Sequence, residues 1–131
     1  MIDTGSALDL NRFHLHLDDG PRIRPVSVAS KAGDRPAEGR TLAVFSAERP
    51  EDLHPEYWEM HPGGDELLIA CSGRLELDIE DAGGIRTVEL TPRTGQVVPS
   101  GRWHRLRLLE PAVLMALTHR SGTQRRKHRG A

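Results

Sequence analysis

Alternation of apolar and polar residues with a period of two runs through most of this chain, from residue 22 to residue 118. The clearest example is Arg74–Glu80, in which leucine or isoleucine alternates with charged residues. Successive side chains of a β-strand point to opposite faces, so this segment predicts a strand with one buried and one hydrated face. The turn-forming run Asp81–Gly84 then leads into a second alternating segment, Ile85–Leu90, and the two segments together predict a β-hairpin.

Seven further segments share the strand pattern: Arg22–Val28, Arg40–Ser46, Tyr57–His61, Glu66–Cys71, Gln96–Val98, His104–Leu109 and Val113–Thr118. Turns rich in glycine and proline separate them, and short strands at this spacing predict an all-β sandwich or closed barrel. No linker divides the chain, so one barrel domain is expected over residues 21–118. Residues 1–20 are expected to pack on the barrel edge or to be swapped onto a partner. Within them, Ala7–Leu17 is compatible with either a helix or a strand.

Composition limits the cellular setting. The net charge of the 131 residues is −1, which favours neither a nucleic-acid nor a membrane partner. No stretch approaches the roughly 18 apolar residues of a membrane span, and the first residues do not have the pattern of a signal peptide. With a single cysteine, Cys71, no intramolecular disulfide can form. A cytoplasmic protein is therefore expected.

The C-terminal residues 119–131 differ from the rest because they carry five of the 18 basic residues of the chain. A solvated, frayed and flexible terminus is the simplest interpretation. The alternative is a segment that contacts an anionic partner or clasps the mouth of the barrel.

The residues most suggestive of chemistry surround a Pro-Gly-Gly turn. Glu59 and His61 are two apart in a predicted strand, so they share a face, and the turn brings Glu66 at the start of the next strand close to them. A second turn, Pro99–Gly101, delivers His104 onto another strand. Two imidazoles with one or two carboxylates suit a hexacoordinate divalent ion such as iron, manganese, nickel or zinc, with positions left for water or substrate.

These residues also carry a family resemblance. The pattern His61-x4-Glu66-x6-Gly73 resembles the second half of the first cupin motif, and Pro99-x-Gly101-x2-His104 resembles the core of the second. The two motifs cover about a third of the chain and are separated, as in that family, by a hairpin. The resemblance implies an antiparallel jelly-roll β-barrel with a metal ion inside. It assigns His61, Glu66 and His104 to ligand positions. Glu59 stands where the family has a further histidine, which shifts the expected preference toward harder metals.

Other side chains are weaker candidates. Tyr57 shares a face with Glu59 and is a possible substrate-orienting group, and Arg102 beside the second motif is a possible contact for an anionic substrate. His14 and His16 have ligand spacing, but a surface face opposite Phe13 explains them more simply. Cys71 is expected to be a small buried side chain that faces away from the site. One set is expected to cover the outer face of the sheet and to form a homodimer interface: Trp58, Met60 and Trp103.

The sequence favours two functions, whereas a purely structural or partner-binding barrel has less support because it leaves the converging polar residues unexplained. The first is a metal-dependent enzyme that acts on a small polar molecule, with dioxygenase- or isomerase-like chemistry. The second is a sensor or binding module that holds a small molecule without converting it, an interpretation supported by an interior predicted to be apolar at Leu68, Ala70 and Leu106.

Overall fold

Nine strands and one short 3₁₀ helix form within the part of the chain that the structure describes. The computed structural model describes residues 5–30 and 38–129. The 3₁₀ helix is Pro50–Leu53. The strands, in chain order, are β1 (Phe13–Leu17), β2 (Ile23–Ser27), β3 (Arg40–Ala47), β4 (Tyr57–Met60), β5 (Glu66–Asp81), β6 (Gly84–Leu90), β7 (Thr94–Val98), β8 (His104–Thr118) and β9 (Gln124–Lys127).

Two long strands, β5 and β8, are shared by two layers of antiparallel sheet. In the first layer, the beginning of β5 and the end of β8 lie between β7 on one side and β3, β1 and β2 on the other. In the second layer, the end of β5 and the beginning of β8 lie between β6 on one side and β4 and β9 on the other. Over the described residues the hydrogen-bonded order does not close on itself. The predicted all-β antiparallel architecture is therefore confirmed, as an open, doubled-over sheet.

The length of β5 and β8 differs from the prediction. Ser72-Gly73 and Glu110-Pro111 were expected to be turns between separate strands, but the backbone runs through both as bulges within strands of 16 and 15 residues. Gly73 shows why the bulge is possible: its φ is +75°, and a Cβ there would lie 2.0 Å from the carbonyl oxygen of Pro111. Only glycine fits a left-handed conformation that close to another backbone.

The inner faces of the two layers pack against each other and form the core. Its fully buried large side chains come from both layers: Leu75, Leu77, Ile79, Leu90, Val98 and Leu114. The inward positions of β5 alternate with outward acidic ones in the second layer, as the sequence pattern predicts. The site described below lies at one end of this core, where β4 turns into β5.

Both ends of the chain join the sheet. Phe13–Leu17 forms a strand, so of the two predictions for Ala7–Leu17 the strand is confirmed for that part, and β1 pairs with β2 and β3 of its own chain. The C-terminal tail was expected to be flexible. In the structure, Gln124–Lys127 forms a strand that pairs with β4. No helix in the described part of the chain is long and apolar enough to cross a membrane.

Candidate metal centre

The register of the strands places the four predicted ligands at one end of the core. Glu59 of β4 is directly opposite His104 of β8, which itself is opposite Ile79 of β5, so both polar side chains share the inner face of the second layer. His61 follows β4 on the same face as Glu59. Glu66 opens β5 in the first layer and is buried. The Pro62–Asp65 turn thus folds the chain so that groups from both layers meet.

The four side chains are close enough to act together. Ligand atoms of Glu59, His61 and His104 all lie within 4.8 Å of one another. The Glu66 carboxylate bridges the two imidazoles: its Oε1 is 2.8 Å from Nε2 of His104, and its Oε2 is 3.4 Å from Nε2 of His61. Nε2 of His61 is also 3.7 Å from Oε1 of Glu59. Both histidines are only 5% exposed, so water screens these interactions weakly.

Hydrogen bonds on the far side of each ring turn the Nε2 atoms toward the cluster. Nδ1 of His61 is 2.8 Å from Oγ1 of Thr123, and that hydroxyl donates its own proton to the carbonyl of Arg120 at 2.7 Å. The Thr123 oxygen must therefore accept from Nδ1–H of His61, so that in the neutral form of this ring the lone pair is on Nε2, which faces the cluster. The carbonyl oxygen of Arg102 is 3.5 Å from Nδ1 of His104, a longer and weaker contact on the far side of that ring.

Burial and ion pairing shift the pKa values of Glu66 and His104 in opposite directions. Burial by itself raises the pKa of Glu66, but its interactions with His104 and then with His61 outweigh burial, and the pKa falls well below the ordinary 4.5. Burial lowers the pKa of His104, whereas the hydrogen bond to Glu66 raises it, and the net result is a raised pKa. The hydroxyl of Thr118 donates to Oε2 of Glu66 at 2.6 Å and further stabilises the carboxylate. Glu66 is therefore ionised at neutral pH.

These observations fit a divalent cation. Nε2 of His61 is buried and has no hydrogen bond of good geometry in the described part of the protein, although it is surrounded by carboxylate oxygens. Lone pairs that face one another in this way repel unless a cation, whether a proton or a metal ion, lies between them. Two imidazole nitrogens with carboxylate oxygens suit manganese, iron, nickel or zinc, so the residues present fit the predicted metal.

Glu59 differs from the other three because it lies at the mouth of the site. Its side chain is 32% exposed, and Oε2 accepts a hydrogen bond at 2.8 Å from Nε of Arg125 on β9. Arg125 is opposite Glu59 in the β4–β9 register. Neither this contact nor the role of Thr123 was predicted, because the tail has no apolar alternation that indicates a strand.

A cavity of about 190 Å³ opens over the cluster. Its inner wall is apolar and includes Phe45, Leu68, Leu106 and Ala116, whereas its mouth is polar. Tyr57 lies on this lining, where the sequence analysis placed it, and is 40% exposed. Arg102 does not belong to the lining in the described structure; Arg105 does, and the contribution of Arg102 to the site is its backbone carbonyl.

The two turns that carry the ligands are tied together. Oδ1 of Asp65 accepts a hydrogen bond at 2.8 Å from the backbone N–H of Ser100, and the Ser100 hydroxyl donates to the carbonyl of Pro62 at 2.9 Å. The amide of Gly101 donates to the carbonyl of His61 at 3.0 Å. These bonds fix the Pro-Gly-Gly turn against the turn before His104, and hence the distance between the two histidines.

Three expectations about residues outside the cluster are corrected. His16 is not on a hydrated surface: it is 3% exposed, and its register through Thr41 and Thr118 places it on the inner face of the first layer. Cys71 is exposed rather than buried. Trp58 is 4% exposed because the C-terminal segment of the same chain covers it, and its Nε1 donates to Nδ1 of His128 at 2.8 Å. Trp58 therefore does not provide the outer dimer surface that the sequence analysis assigned to it.

Known structures with similar backbones identify the fold. No protein-family model and no curated protein matches the sequence. Among solved structures, oxalate decarboxylase from Bacillus subtilis, studied for its Mn(II) centres, matches with a TM-score of 0.52 and 18% identity over 67% of this chain and 23% of its own. HppE, with cobalt(II) and in complex with substrate, matches with a TM-score of 0.50 and 16% identity over 60% of this chain and 44% of its own.

A protein with a cupin-2 domain from Shewanella frigidimarina matches with a TM-score of 0.47 and 20% identity over 60% of this chain and 68% of its own. The matches to oxalate decarboxylase and HppE, with TM-scores of 0.52 and 0.50, establish the fold and, at these identities, nothing about activity. This chain spans only 23% of the oxalate decarboxylase chain and 44% of the HppE chain. The protein has the cupin fold, as the two motifs predicted.

Proposed function

We propose that this protein binds one divalent metal ion through Glu59, His61, Glu66 and His104 and uses it to bind or convert a small polar molecule in the cavity above. The observation that carries the proposal is the convergence of the two Nε2 atoms on a buried carboxylate, with both rings oriented from behind. Metal-ligating histidines characteristically have such a partner at the second ring nitrogen. The matched structures with Mn(II) and cobalt(II) add indirect support.

The four proposed ligands differ in burial and in the contacts that hold them. His61, His104 and Glu66 form a buried and rigid set, because the Thr123, Arg102 and Thr118 contacts fix their orientations. Glu59 is the more exposed ligand, and its salt bridge to Arg125 gives it a second stable partner. When bound, a divalent ion would supply Lewis-acid polarisation of a substrate oxygen.

The dimensions and lining of the cavity indicate the class of ligand. The cavity volume of about 190 Å³ is smaller than that of the usual pocket for drug-sized molecules, roughly 300–1,000 Å³. The apolar inner wall limits access of water to the cluster, whereas the mouth offers the Tyr57 hydroxyl to a polar ligand. We therefore propose a small polar ligand, bound with its polar end toward the metal.

A binding module without turnover is the second candidate. It is favoured by the fact that the carboxylates of the cluster already have partners: Glu66 pairs with both histidines and Thr118, and Glu59 pairs with Arg125. The Tyr57 hydroxyl is the group at the mouth best suited to transfer a proton. Conversion of a bound ligand, measured by product analysis with the metal-loaded protein, distinguishes the enzyme from the sensor.

We retain the prediction of a cytoplasmic location, which the single cysteine supports.

The metal site is tested by elemental analysis and calorimetric titration of tag-free protein purified without chelator. Wild-type protein is expected to contain or to take up close to one equivalent of iron, manganese, nickel or zinc. His61→Ala combined with His104→Ala is expected to abolish uptake while the circular dichroism spectrum remains that of a β protein. His54→Asn is the matched control, because His54 lies at the cavity rim outside the cluster and has a left-handed φ of 49°, which asparagine tolerates.

Two results would contradict the proposal. One is wild-type protein that takes up none of the four ions after incubation with each. The other is a double variant that retains the metal, since the ion would then be bound elsewhere.

A further inference from the structure

Three arginines line the cavity above the cluster: Arg105, Arg120 and Arg125. The charge of Arg105 is already compensated, because its guanidinium donates to the Asp78 carboxylate at 3.1 Å and to the carbonyl of Pro55 at 3.0 Å. Arg125 differs from Arg105 because its partner is itself a proposed metal ligand. The lining therefore contains a guanidinium group whose charge depends on what occupies the cluster.

The Arg125 side chain extends from β9 to the mouth of the cavity. Arg125 is opposite Glu59 in the β4–β9 register, and its Nε donates to Oε2 of Glu59 at 2.8 Å. Its terminal nitrogens, Nη1 and Nη2, make no hydrogen bond to a residue in the described ranges, and the side chain is 59% exposed. These two nitrogens can therefore donate to a ligand that enters through the mouth.

The carboxylates of the lining cannot compensate both Arg125 and a divalent ion. The cluster has two carboxylates, Glu59 and Glu66, whose negative charges together balance one such ion. The remaining acid on the lining, Asp52, accepts hydrogen bonds from two backbone amides just before the 3₁₀ helix. With the ion bound, Glu59 would be shared between it and Arg125, and one positive charge would be left without a partner. A charge that is partly shielded from water attracts an anion strongly.

We infer that the ligand of the cavity is a small monocarboxylic acid whose carboxylate is bound by Arg125. The inference rests on the proposed metal function, because the ion supplies the excess of positive charge. A guanidinium group suits this ligand, since its planar N–H groups match both oxygens of a carboxylate. Glu59 shows that a carboxylate fits between Arg125 and the cluster: its Oε2 accepts from Arg125, and its Oε1 is 3.7 Å from Nε2 of His61. A ligand carboxylate at Arg125 would therefore lie beside the cluster.

The inner wall of the cavity suits the remainder of such an acid. The wall is formed by Phe45, Leu68, Leu106 and Ala116, whose side chains offer no hydrogen-bonding group. A short hydrocarbon chain can pack against them, whereas the hydroxyl groups of a sugar would lose their hydrogen bonds to water there without replacement. The volume of about 190 Å³ limits the chain to a few carbon atoms. Charge at the mouth and apolar surface behind it thus favour a short carboxylic acid over a neutral polyol.

The test compares propionate with propionamide, which have nearly the same shape and differ in charge. Each is titrated calorimetrically into the full-length protein, loaded with the metal that elemental analysis identifies. Wild-type protein is expected to bind propionate at least about tenfold more tightly than propionamide, the order of magnitude of a hydrogen bond between charged groups. Arg125→Gln is expected to weaken propionate binding by about the same factor, while metal uptake stays at about one equivalent.

Arg126→Gln is the matched control, because it removes the same charge from the next residue of β9. Arg126 lies on the opposite side of that strand, where it pairs with Glu80 and stacks over Trp103, so its variant should keep the wild-type affinity for propionate. Circular dichroism is measured on both variants to show that the fold is intact.

Three outcomes would contradict the inference. Metal-loaded wild-type protein that binds both probes equally overturns it and leaves the metal centre standing, and so does an Arg125→Gln variant with the propionate affinity of Arg126→Gln. Wild-type protein that takes up no metal overturns the proposed function itself, and the carboxylate site with it.

Discussion

The hydroxyl of Thr123, a residue just before the C-terminal strand, lies 2.8 Å from Nδ1 of His61, a residue at the centre of the cavity. Since the same hydroxyl donates to the carbonyl of Arg120, it accepts the His61 proton and so determines which nitrogen faces the cluster. The C-terminal segment is therefore a structural part of the proposed metal centre.

Replacement of Thr123 by valine keeps the shape of the side chain and removes the acceptor for Nδ1–H of His61. We expect metal affinity to fall by about 10- to 100-fold, the usual effect of removing an outer partner of a histidine ligand. Thr123→Ser retains the hydroxyl and should keep wild-type affinity in the same calorimetric titration. Equal affinities for the valine and serine variants would show that the hydroxyl does not position the ring.

Removal of the residues after Thr123 is predicted to expose Trp58. His128 accepts the Trp58 indole N–H, and Arg126 stacks over Trp103 at 4.5 Å and over Trp58 at 5.7 Å. Without them the indole of Trp58 meets water, so tryptophan emission should shift to longer wavelength. The same truncation made with Trp58→Phe assigns the shift to Trp58 or Trp103. An unchanged spectrum would mean that β9 does not cover this side chain in solution.

The buried carboxylate of Asp78 is predicted to make the protein sensitive to acid. Asp78 is 3% exposed and accepts hydrogen bonds from Arg105, Arg107 and Thr87. Burial raises its pKa, but the bonds from Arg107, Thr87 and Arg105 outweigh burial and lower it below the ordinary 3.8. A lowered pKa in the folded state means that this stabilisation is present above pH 3.8 and is lost as the pH falls further.

Asp78→Asn should therefore lower the free energy of unfolding at neutral pH by about 3 kcal/mol, because two guanidinium groups lose their carboxylate. Its stability should also depend less on pH in the acid range than that of wild-type protein. Glu76→Gln is the control, since Glu76 makes only a partly exposed ion pair with Arg107 at 3.3 Å, worth about 1 kcal/mol or less. Urea unfolding at a series of pH values provides the measurement, and parallel curves for wild type and Asp78→Asn would refute the prediction.

The substitutions Gly73→Ala and Gly101→Ala distinguish the cost of a left-handed backbone conformation from the cost of a steric clash with neighbouring backbone. Both residues have φ near +80°, but a Cβ at Gly101 would meet nothing within 4 Å, whereas at Gly73 it would meet backbone atoms at 2.0 to 2.7 Å. Alanine in the left-handed region costs about 1–2 kcal/mol, which is the loss expected for Gly101→Ala. Gly73→Ala should lose at least twice as much, or fail to fold, in denaturant titrations. Similar losses at the two sites would indicate that the bulge can open to admit a methyl group.

Two features of the sequence were sufficient to predict most strands and the converging side chains of the site. Alternation predicted the strands that have one apolar face, and the parity of Glu59 and His61, with the turn before Glu66, predicted which side chains converge. The continuity of β5 and β8 was missed because Gly73 and Pro111 are turn residues in most contexts, and only the register between the two strands shows that they form a bulge here.

Burial of His16 and pairing of β9 could not be predicted for a related reason. His16 alternates with leucine, and alternation alone does not tell which face is the core when the opposite face is apolar as well. Strand β9 has the sequence Gln-Arg-Arg-Lys, which lacks any apolar face. Its position depends on contacts with Glu59, Glu80 and Trp58, residues far away in the chain. Tertiary partners, rather than local pattern, determine such a strand.

The sharing of β5 and β8 by both layers has a consequence for sequence variation in relatives of this protein. A single inserted or deleted residue in β8 between His104 and Met115 would reverse the facing of every side chain beyond it. If the end of β8 kept its register, His104 would leave the cavity. If the beginning of β8 kept its register, Met115 and Leu117 would turn inward, and Ala116 and Thr118 would be exposed on the outside. Changes of length that evolution tolerates are therefore expected in the connections between strands, while the spacing from the second motif to the end of β8 stays constant.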